Sequence, residues 1–366
     1  MPIEVDYRFP PGVDAARQAQ QIAIGQTAGT WDERYAHRHA SLRRFLGEVA
    51  GLTALPGGGA VATIRFPEHN VEGDIGSLLT MIFGKYSMAG PAKVVDLRLP
   101  DGYGTPAKLG AQGIRRRSQV AERPLVMAIF KPSLGLSPTD LAAVVDEVGV
   151  AGLDVIKDDE IMADLPGART LDRMSAVRGA LDRVASARGR PLLYAVNVTG
   201  RSADLLESAR RLVRAGANAL LVNVLSYGFS VLESLAADAE VDVPLFVHPA
   251  LSGALCAAPD HGLTYSVVLG HLCAHAGADA VLYPSRHGSL PFEAAEELRI
   301  RDALRPRRVL PVLSAGVTPA IVPQIIADYG HDVVLNAGTA IMEHRDGPAG
   351  GVRAFFAALE QMGIRA

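Results

Sequence analysis

Short apolar segments recur at similar intervals from Leu125 to the end of the chain. Each has the composition of a buried strand, and a pattern typical of a helix follows, as over 137–148, 203–215 and 319–328. The eight apolar segments cover 125–131, 152–160, 192–198, 219–225, 244–250, 279–285, 308–316 and 332–338. Eight strands alternating with eight helices predict an α/β fold, the (β/α)8 TIM barrel, with its active site at the carboxyl ends of the strands.

The first 120 residues mix the two element types without this regularity. Strands are predicted over 3–9, 60–66 and 92–99, and helices over 13–26 and 76–86. This pattern predicts a small α+β domain of the ferredoxin-like kind, in which helices cover one face of a short sheet. We place the domain boundary at residue 120, so that 1–120 is the N-terminal domain with its linker and 121–366 is the barrel.

Residues 101–124 are rich in glycine, proline and charge and are interpreted as the linker. The run Arg115-Arg116-Arg117 within it is interpreted as a solvated loop rather than as a phosphate contact. No helix or strand is predicted in this stretch.

The overall composition favours small-molecule chemistry. The chain has 366 residues, of which 49% are hydrophobic and 20% charged, enough for a large core. A net charge of −3 indicates no basic surface for nucleic acid or an anionic membrane. Cys256 and Cys273 form no spaced metal or redox pair, and no apolar run has the length of a membrane span. We therefore expect a cytoplasmic protein with no nucleic-acid partner and no membrane partner.

One strand end carries an unusual concentration of charge. The segment that begins at Gly152 ends in Lys157-Asp158-Asp159-Glu160. Charges at the end of a buried strand cost stability unless something compensates them. Strand alternation places Lys157 and Asp159 on one face and Asp158 on the other, while Glu160 can turn back from the loop. The acids predict a hard divalent cation, with Mg²⁺ as the default, against the alternative of a Lys157–Asp159 salt bridge.

Lysine is scarce in this chain, which makes its positions informative. The lysines are Lys85, Lys93, Lys108, Lys131 and Lys157, against a much larger number of arginines. A lysine retained at a strand end suggests that an amine is needed, because a guanidinium cannot be deprotonated. Lys131 and Lys157 end the first two barrel strands and are therefore candidate catalytic residues.

The other strand ends supply a histidine, amides and small residues. His248 and Asn197 are the candidate substrate-binding residues because of their strand-end positions, and a satisfied core histidine is the alternative for His248. Turns of small residues after the last two strands expose backbone N–H groups, which favour phosphate. The candidate phosphate-binding residues there are Ser314, Gly316, Asn336, Ala337 and Gly338. Together with a metal they predict a phosphorylated small-molecule substrate with a carbonyl or diol group.

These residues, in this order, resemble the RuBisCO superfamily over nearly the whole chain. Residues 152–160 are similar to the family's activation motif, 130–137 to its first-strand motif and 29–31 to its N-terminal phosphate segment. The resemblance implies that CO₂ carbamylates Lys157 and that the carbamate binds Mg²⁺ together with Asp159 and Glu160. A carbamate is an anion, so it would resolve the charge problem at this strand end.

The resemblance also implies a homodimer with the active site at the subunit interface. Thr30 and Trp31, as substrate-binding residues, and Lys85, as a catalytic residue, lie in the small domain and would serve the adjacent subunit. His248 is similar to a substrate-binding histidine of the family.

Several departures from the family pattern argue against carbon fixation. Carboxylating members need a lysine in the loop after the sixth strand, and no lysine follows Lys157 in this chain. Ser133 replaces the second lysine of the first-strand motif, and Pro249 replaces a phosphate-binding arginine. Gly25 and Met81 stand in place of an acidic residue and an asparagine. Loss of these groups predicts a non-carboxylating, RuBisCO-like protein.

The substrate can be predicted only as a class. Residues 82–88, 193–201 and 248–254 resemble the diketo-methylthiopentyl-phosphate enolases of methionine salvage, in which the lysine matching Lys85 is the base. Residues 131–135 and 337–344 depart from those enolases. We therefore expect a Mg²⁺-dependent decarboxylase or isomerase that forms an enolate from a phosphorylated keto sugar or an oxo sugar acid of the oxo-isoapionate-phosphate type. The enolase is the alternative.

Two further classes are compatible with the residues. A Schiff-base aldolase would use Lys131 or Lys157 as nucleophile, and a barrel could also bind a sugar phosphate without turnover. The adjacent acids favour the metal enzyme over both. In that enzyme we expect Lys85, with Lys131 as second candidate, to move the proton.

Overall fold

The computed structural model describes residues 2–32, 34, 37 and 40–365, and all bounds refer to these residues. Strands are numbered in chain order: β1 (Ile3–Phe9), β2 (Glu48–Ala54), β3 (Ala60–Phe66), β4 (Lys93–Arg98), β5 (Leu125–Ile129), β6 (Val155–Lys157), β7 (Leu193–Asn197), β8 (Ala219–Val222), β9 (Leu245–Val247), β10 (Gly262–Leu263), β11 (Ala280–Pro284), β12 (Leu310–Ser314) and β13 (Val334–Ala337).

The α-helices of the described residues cover Ala15–Gly25, Ile75–Leu79, Gly110–Ser118, Pro138–Val150, Thr170–Arg188, Leu205–Arg214, Val224–Tyr227, Phe229–Ala237, Ser252–Cys256, Cys273–His275, Ala294–Leu304, Val322–Tyr329, Thr339–Met342 and Gly347–Gln361. Short 3₁₀ segments cover Ala40–Phe45, Glu68–Asn70, Lys85–Met88, Ser202–Asp204, Arg305–Arg307 and Pro319–Ile321, and π-helical segments cover Thr80–Gly84 and Ser266–Leu272.

The N-terminal domain is the small α+β unit that the sequence predicts. Its four strands are antiparallel in the order β4-β1-β3-β2, which is the ferredoxin-like arrangement. In β1 the alternate residues Ile3, Val5, Tyr7 and Phe9 are fully buried, as a strand with one covered face requires. The helix Ala15–Gly25 runs along β2 and β3 and buries its own apolar residues.

The C-terminal part is a closed parallel barrel in the order β5-β6-β7-β8-β9-β11-β12-β13, so the predicted TIM barrel is confirmed. Its lower interior is filled by apolar side chains that form a cluster separate from the layer between strands and helices. The strand residues in that cluster are Leu125, Met127, Val155, Leu193, Ala195, Ala219, Leu221, Phe246, Ala280, Leu282, Leu310, Val312 and Val334. The base of the barrel is therefore a packed core, and its mouth is the place for an active site.

The interpretation of 101–124 as an irregular linker is wrong, because a helix covers Gly110–Ser118. Its Ile114 is fully buried and joins the apolar cluster inside the base of the barrel. The carboxylate of Asp279 accepts hydrogen bonds from the backbone N–H groups of Leu109 and Gly110. Asp279 is far from this helix in sequence, yet its carboxylate satisfies the backbone N–H groups at the start of the helix. The residues just before the helix therefore carry no capping signal.

The arginine run in this helix is likewise not a solvated loop. The Arg115 guanidinium donates to the carboxylate of Asp332 at 2.9 Å and to the carbonyl oxygen of Arg123 at 2.9 Å. Arg117 pairs with Asp242 at 2.8 Å. These contacts attach the helix to the base of the barrel.

A second difference is strand β2, which the sequence did not predict. Its residues are almost all exposed, because β2 lies at the edge of the small sheet and its pairing with β3 shifts register between Val49 and Gly51. Such an edge strand has no alternating apolar pattern to signal it.

The division at residue 120 stays a prediction. Strand β10 comes from the barrel half of the chain, yet it pairs in parallel with β4 of the small sheet. No helix among the described residues combines the length and the apolarity that crossing a membrane requires.

Candidate active site

The polar residues of the barrel mouth follow from the two-residue period of the strands. In six strands an inward apolar residue is followed, two positions later, by a polar residue. These pairs are Val155 and Lys157, Ala195 and Asn197, Leu221 and Asn223, Phe246 and His248, Val312 and Ser314, and Val334 and Asn336. The strands therefore direct these polar side chains into one layer above the apolar interior.

The side chains of Lys157 and Asp158 point in opposite directions, as the strand period predicts. Asp158 is fully buried and accepts hydrogen bonds from the Tyr194 hydroxyl at 2.6 Å and from the Arg173 guanidinium at 3.1 Å. The backbone N–H of Asn197 donates to it at 3.0 Å. The charge of Asp158 is therefore compensated outside the mouth, and this residue is an anchor for the strand end.

Lys157 is fully buried and has little to compensate its charge. Its Nζ donates to the carbonyl oxygen of Asp158 at 2.9 Å. Burial lowers its pKa to about 8, although the charges of Glu160 and Asp159 oppose this. A buried amine with a lowered pKa is the form in which lysine reacts as a nucleophile, including with CO₂.

Asp159 is held by the first barrel strand. Its Oδ2 lies 2.6 Å from Lys131 Nζ and accepts a hydrogen bond from the Ser133 hydroxyl at 2.8 Å. Burial would raise the pKa of Asp159, but the hydrogen bonds from Lys131 and Ser133 outweigh it and hold this pKa at about 2. The salt bridge of Asp159 is thus with Lys131, and not with Lys157 as the alternative interpretation had it.

Glu160 turns back toward the mouth from the loop, as expected. Its Oε2 lies 3.4 Å from His248 Nε2, and burial raises the pKa of its carboxyl. Burial and the charge of Lys157 lower the pKa of His248 to about 3, so the imidazole is neutral at pH 7. Its Nδ1 accepts a hydrogen bond from the backbone N–H of Ala250, which leaves the proton on Nε2, facing Glu160.

A modified Lys157 would complete a set of three anionic oxygen ligands at the mouth. Among the described residues, no group of three or more histidine, cysteine, aspartate or glutamate side chains is placed to hold a metal ion. Asp159 and Glu160 provide two oxygen ligands, and a carbamate on the buried Lys157 would provide the third. The chemistry of these three residues would fit a magnesium site once Lys157 is carbamylated.

Asn197 is fully used inside the protein. Its amide Nδ2 donates to the carbonyl oxygens of Glu160 at 3.0 Å and of Met162 at 3.2 Å, and its Oδ1 accepts from Asn223 at 3.4 Å. Asn223 also donates to the Glu160 carbonyl, at 3.1 Å. These amides hold the loop that carries Glu160, and the substrate contact expected for Asn197 stays a prediction.

The last two strands bring the candidate phosphate residues to the mouth. Asn336 is 1% exposed, and neither its Oδ1 nor its Nδ2 has a hydrogen-bond partner in the described structure. Because a buried amide without partners costs about 1–3 kcal/mol, Asn336 is a strong candidate for contact with a ligand or bound water. Ser314 donates to the carbonyl oxygen of Tyr283 at 3.2 Å. A Cβ at Gly338 would lie 3.7 Å from Lys131 Cε, so this turn adjoins Lys131.

Gly316 shapes the other turn. It has φ of +86°, and a Cβ there would lie 2.5 Å from the backbone nitrogen of Ser289. Only glycine therefore permits the loop after β11 to approach this turn so closely. Ala337 lies in β13 and is buried.

The small-domain residues are not connected to this mouth within one chain. Lys85 and Thr30 are exposed, and among the described residues neither makes a hydrogen bond or ion pair with the barrel-mouth residues. The guanidinium of Arg43 lies 5.7 Å from the ring centre of Trp31. The structure thus brings Lys131, Lys157, Asp159, Glu160 and His248 together, and leaves Lys85 and Thr30 exposed on the small domain.

Sequence reasoning missed two contributors to the site, Arg173 and the pairing role of Ser133. Arg173 is 1% exposed on a helix and compensates Asp158. In a chain so rich in arginine, nothing local distinguishes it. Ser133 stands out in the sequence only as the replacement of a family lysine, although its place two residues after Lys131 could suggest that the two side chains meet.

Known proteins resemble this chain in both sequence and fold. Residues 110–286 match the family model for the ribulose bisphosphate carboxylase large chain, catalytic domain. A 2,3-diketo-5-methylthiopentyl-1-phosphate enolase from Microcystis aeruginosa is 62% identical over 362 residues, which cover 99% of this chain and 94% of the relative.

Solved structures agree with this. A rubisco-like protein (MtnW) from Alicyclobacillus acidocaldarius is 40% identical with a TM-score of 0.92, covering 100% of this chain and 95% of that one. A dimeric archaeal Rubisco from Hyperthermus butylicus is 25% identical with a TM-score of 0.87, covering 99% and 91%. The chain belongs to the RuBisCO large-chain family. Within it, the chain is an enzyme of the RuBisCO-like, non-carboxylating branch, whose similar curated relatives are enolases.

Proposed function

We propose that this protein is a Mg²⁺-dependent enolase that acts on 2,3-diketo-5-methylthiopentyl 1-phosphate. The buried Lys157 amine between the Asp159 and Glu160 carboxylates carries the catalytic part of this proposal. The 62% identity to an enolase of that substrate, along nearly the whole chain, carries the substrate part. This identity outweighs the local departures at 131–135 and 337–344, so we favour the enolase over the decarboxylase of an oxo sugar acid.

The metal ligands in this proposal are carbamylated Lys157, Asp159 and Glu160. Bound Mg²⁺ would act as a Lewis acid toward a substrate carbonyl and favour loss of the neighbouring proton. Asn197 and Asn223 hold the Glu160 loop in place, and the Asp158–Arg173 pair fixes the strand end from behind. Neutral His248 has one N–H, on Nε2, which can donate to a substrate oxygen in place of Glu160.

Lys85 is the proposed base, and Lys131 is the second candidate. Lys131 already lies in the mouth, 2.6 Å from Asp159. The exposed position of Lys85 and Thr30, with half-buried Trp31 beside Thr30, supports the proposal that they complete the site of a neighbouring subunit in a homodimer. The dimeric relative from Hyperthermus butylicus is consistent with such an assembly.

The substrate phosphate is proposed to lie against the turns that end β12 and β13. Ser314, Gly316, Ala337 and Gly338 line these turns, and the unpartnered amide of Asn336 lies just below them. The proximity of Gly338 to the Lys131 stem would place the phosphate next to the amine.

Proton exchange in D₂O tests this function most directly. Protein activated with Mg²⁺ and bicarbonate is incubated with 2,3-diketo-5-methylthiopentyl 1-phosphate and, separately, with oxo-isoapionate phosphate. We expect enolisation and deuterium incorporation with the first compound and no gas release. Release of CO₂ from the second compound, without turnover of the first, would instead identify a decarboxylase. Trapping of the substrate on a lysine by borohydride would identify the Schiff-base mechanism.

A further inference from the structure

The contact between Lys131 and Asp159 raises a question about metal loading. Oδ2 of Asp159 lies 2.6 Å from Lys131 Nζ and 2.8 Å from Ser133 Oγ, while the backbone N–H of Ile161 approaches Oδ1 at 3.3 Å. Lys131 also donates to Ser133 Oγ at 3.0 Å. The three side chains form a closed triangle, which we name the Lys131–Ser133–Asp159 clamp.

The clamp and a metal compete for the same oxygen. A metal ligand must offer a carboxylate lone pair, but Oδ2 of Asp159 already accepts two hydrogen bonds, from Lys131 and Ser133, while Oδ1 accepts one, from the backbone N–H of Ile161. The ammonium group of Lys131 also repels any cation that shares this oxygen with it. Coordination of a metal by Oδ2 of Asp159 therefore requires that Lys131 move away.

We propose that Lys131 is a tethered cation that occupies Asp159 in the metal-free protein, and that metal loading displaces it. This inference rests on the proposed metal site. In this proposal Ser133 holds the lysine in place, because the Ser133 hydroxyl accepts a hydrogen bond from Lys131 and donates one to Asp159 at the same time. Displacement releases the Lys131 side chain from Asp159 only in the metal-loaded site.

The surroundings of Lys131 support a short movement within the mouth. The Lys131 side chain is 37% exposed, whereas that of Asp159 is 5% exposed, so the lysine end of the pair has room to move. Its stem lies beside Gly338, where the absence of a side chain leaves space. An amine released from Asp159 thus stays next to the proposed phosphate turn.

The proposal is tested first by metal affinity, with Mn²⁺ as the probe. Full-length protein is incubated with bicarbonate, and bound Mn²⁺ is measured by electron paramagnetic resonance. We expect Ser133→Ala to bind Mn²⁺ several-fold more tightly, because the clamp is loosened without any change of charge. Lys131→Met should bind about tenfold or more tightly, which corresponds to the loss of one charge-assisted hydrogen bond.

Two further variants separate this proposal from the proposed function. If Lys157→Met and Asp159→Asn bind Mn²⁺ as the wild type does, the metal site itself is wrong. If those two variants lose Mn²⁺ but Ser133→Ala and Lys131→Met show unchanged or weaker affinity, the metal site stands and the clamp is refuted.

Chemical labelling provides a readout that a simple charge effect on affinity would not give. Acetylation of each lysine by acetic anhydride is followed by mass spectrometry, with Lys108 as internal standard because its Nζ donates to the carbonyl oxygen of Val241, away from the mouth. We expect Mg²⁺ with bicarbonate to increase the acetylation rate of Lys131 several-fold in the wild type and to leave it unchanged in Lys157→Met. An identical Lys131 rate with and without metal in the wild type would overturn the displacement.

Discussion

At the base of the barrel, fully buried Asp154 accepts hydrogen bonds from Arg123 and Arg190, each at 2.6 Å, and from the backbone N–H of Val126 at 2.9 Å. At the mouth, Lys157 is buried to the same extent but donates only to a neighbouring carbonyl oxygen, and the amide of Asn336 has no partner among the described residues. Removing one partner of a fully paired buried charge is strongly destabilising, whereas a buried polar group without a partner is available to a metal or substrate. The base thus serves stability and the mouth serves chemistry.

The largest effect is expected from Lys157→Met at the mouth. Enolisation should fall by about a thousandfold, comparable to the loss of a main electrostatic contributor to a transition state. The melting temperature should stay the same or rise, because an apolar side chain replaces a buried amine that has no counter-charge in direct contact. Steady-state kinetics and calorimetry on the same preparation measure both. Full metal-dependent turnover in this variant would refute the assignment of Lys157.

Asp154→Asn should show the opposite behaviour. Removing the charge leaves Arg123 and Arg190 without their common partner, which should cost about 3–5 kcal/mol in the free energy of unfolding. The kcat of the protein that remains folded should change by less than about threefold, because the site lies at the other end of the strands. Urea unfolding and activity assays measure the two quantities. A loss of kcat without a loss of stability would contradict the division between the two ends.

Two asparagines offer a matched comparison of smaller size. Asn197 at the mouth holds the Glu160 loop, while Asn218 at the base bridges the backbone of Tyr194 at 2.7 Å and of Leu192 at 2.9 Å. Each change to alanine should cost about 1–3 kcal/mol of stability. Only Asn197→Ala should also weaken Mn²⁺ binding, by about 10–100-fold, as the loss of a group that orients a ligand does. Equal metal affinity in the two variants would show that Asn197 does not position Glu160.

The smallest effect is expected at the surface, where Asp96 serves as a reference for the base and the mouth of the barrel. A hydrogen bond with His271 lowers the pKa of half-exposed Asp96 to about 2. A carboxylate whose pKa is lower in the folded than in the unfolded state stabilises the protein above the unfolded value, and this contribution is lost as the pH falls toward 2. Asp96→Asn should therefore cost less than about 1 kcal/mol at pH 6. The difference from wild type should vanish between about pH 4 and pH 2 in urea titrations; a constant difference would assign the effect to something other than charge.

Much of this architecture could be predicted because it depends on local pattern. Continuous apolar segments identify the barrel strands, which are covered on both faces. Alternating apolar residues identify β1 and β3, which are covered on one face. The strand end at Lys157 could be recognised because charge after an apolar run is rare. Strand β2 and the helix Gly110–Ser118 could not, since an exposed edge has no apolar pattern and the cap of that helix comes from Asp279.

The sequence alone determined that inward positions at the strand ends carry Lys157, Asn197, His248 and Asn336, because a strand repeats every two residues whatever surrounds it. Only the tertiary structure decided which of these side chains are already satisfied and which are open. Asn197 and Asp158 are consumed by contacts that closure of the barrel creates, whereas the amide of Asn336 is left without a partner in the described structure. Hydrogen-bond partners depend on distances between strands that are far apart in sequence, and no local pattern encodes them.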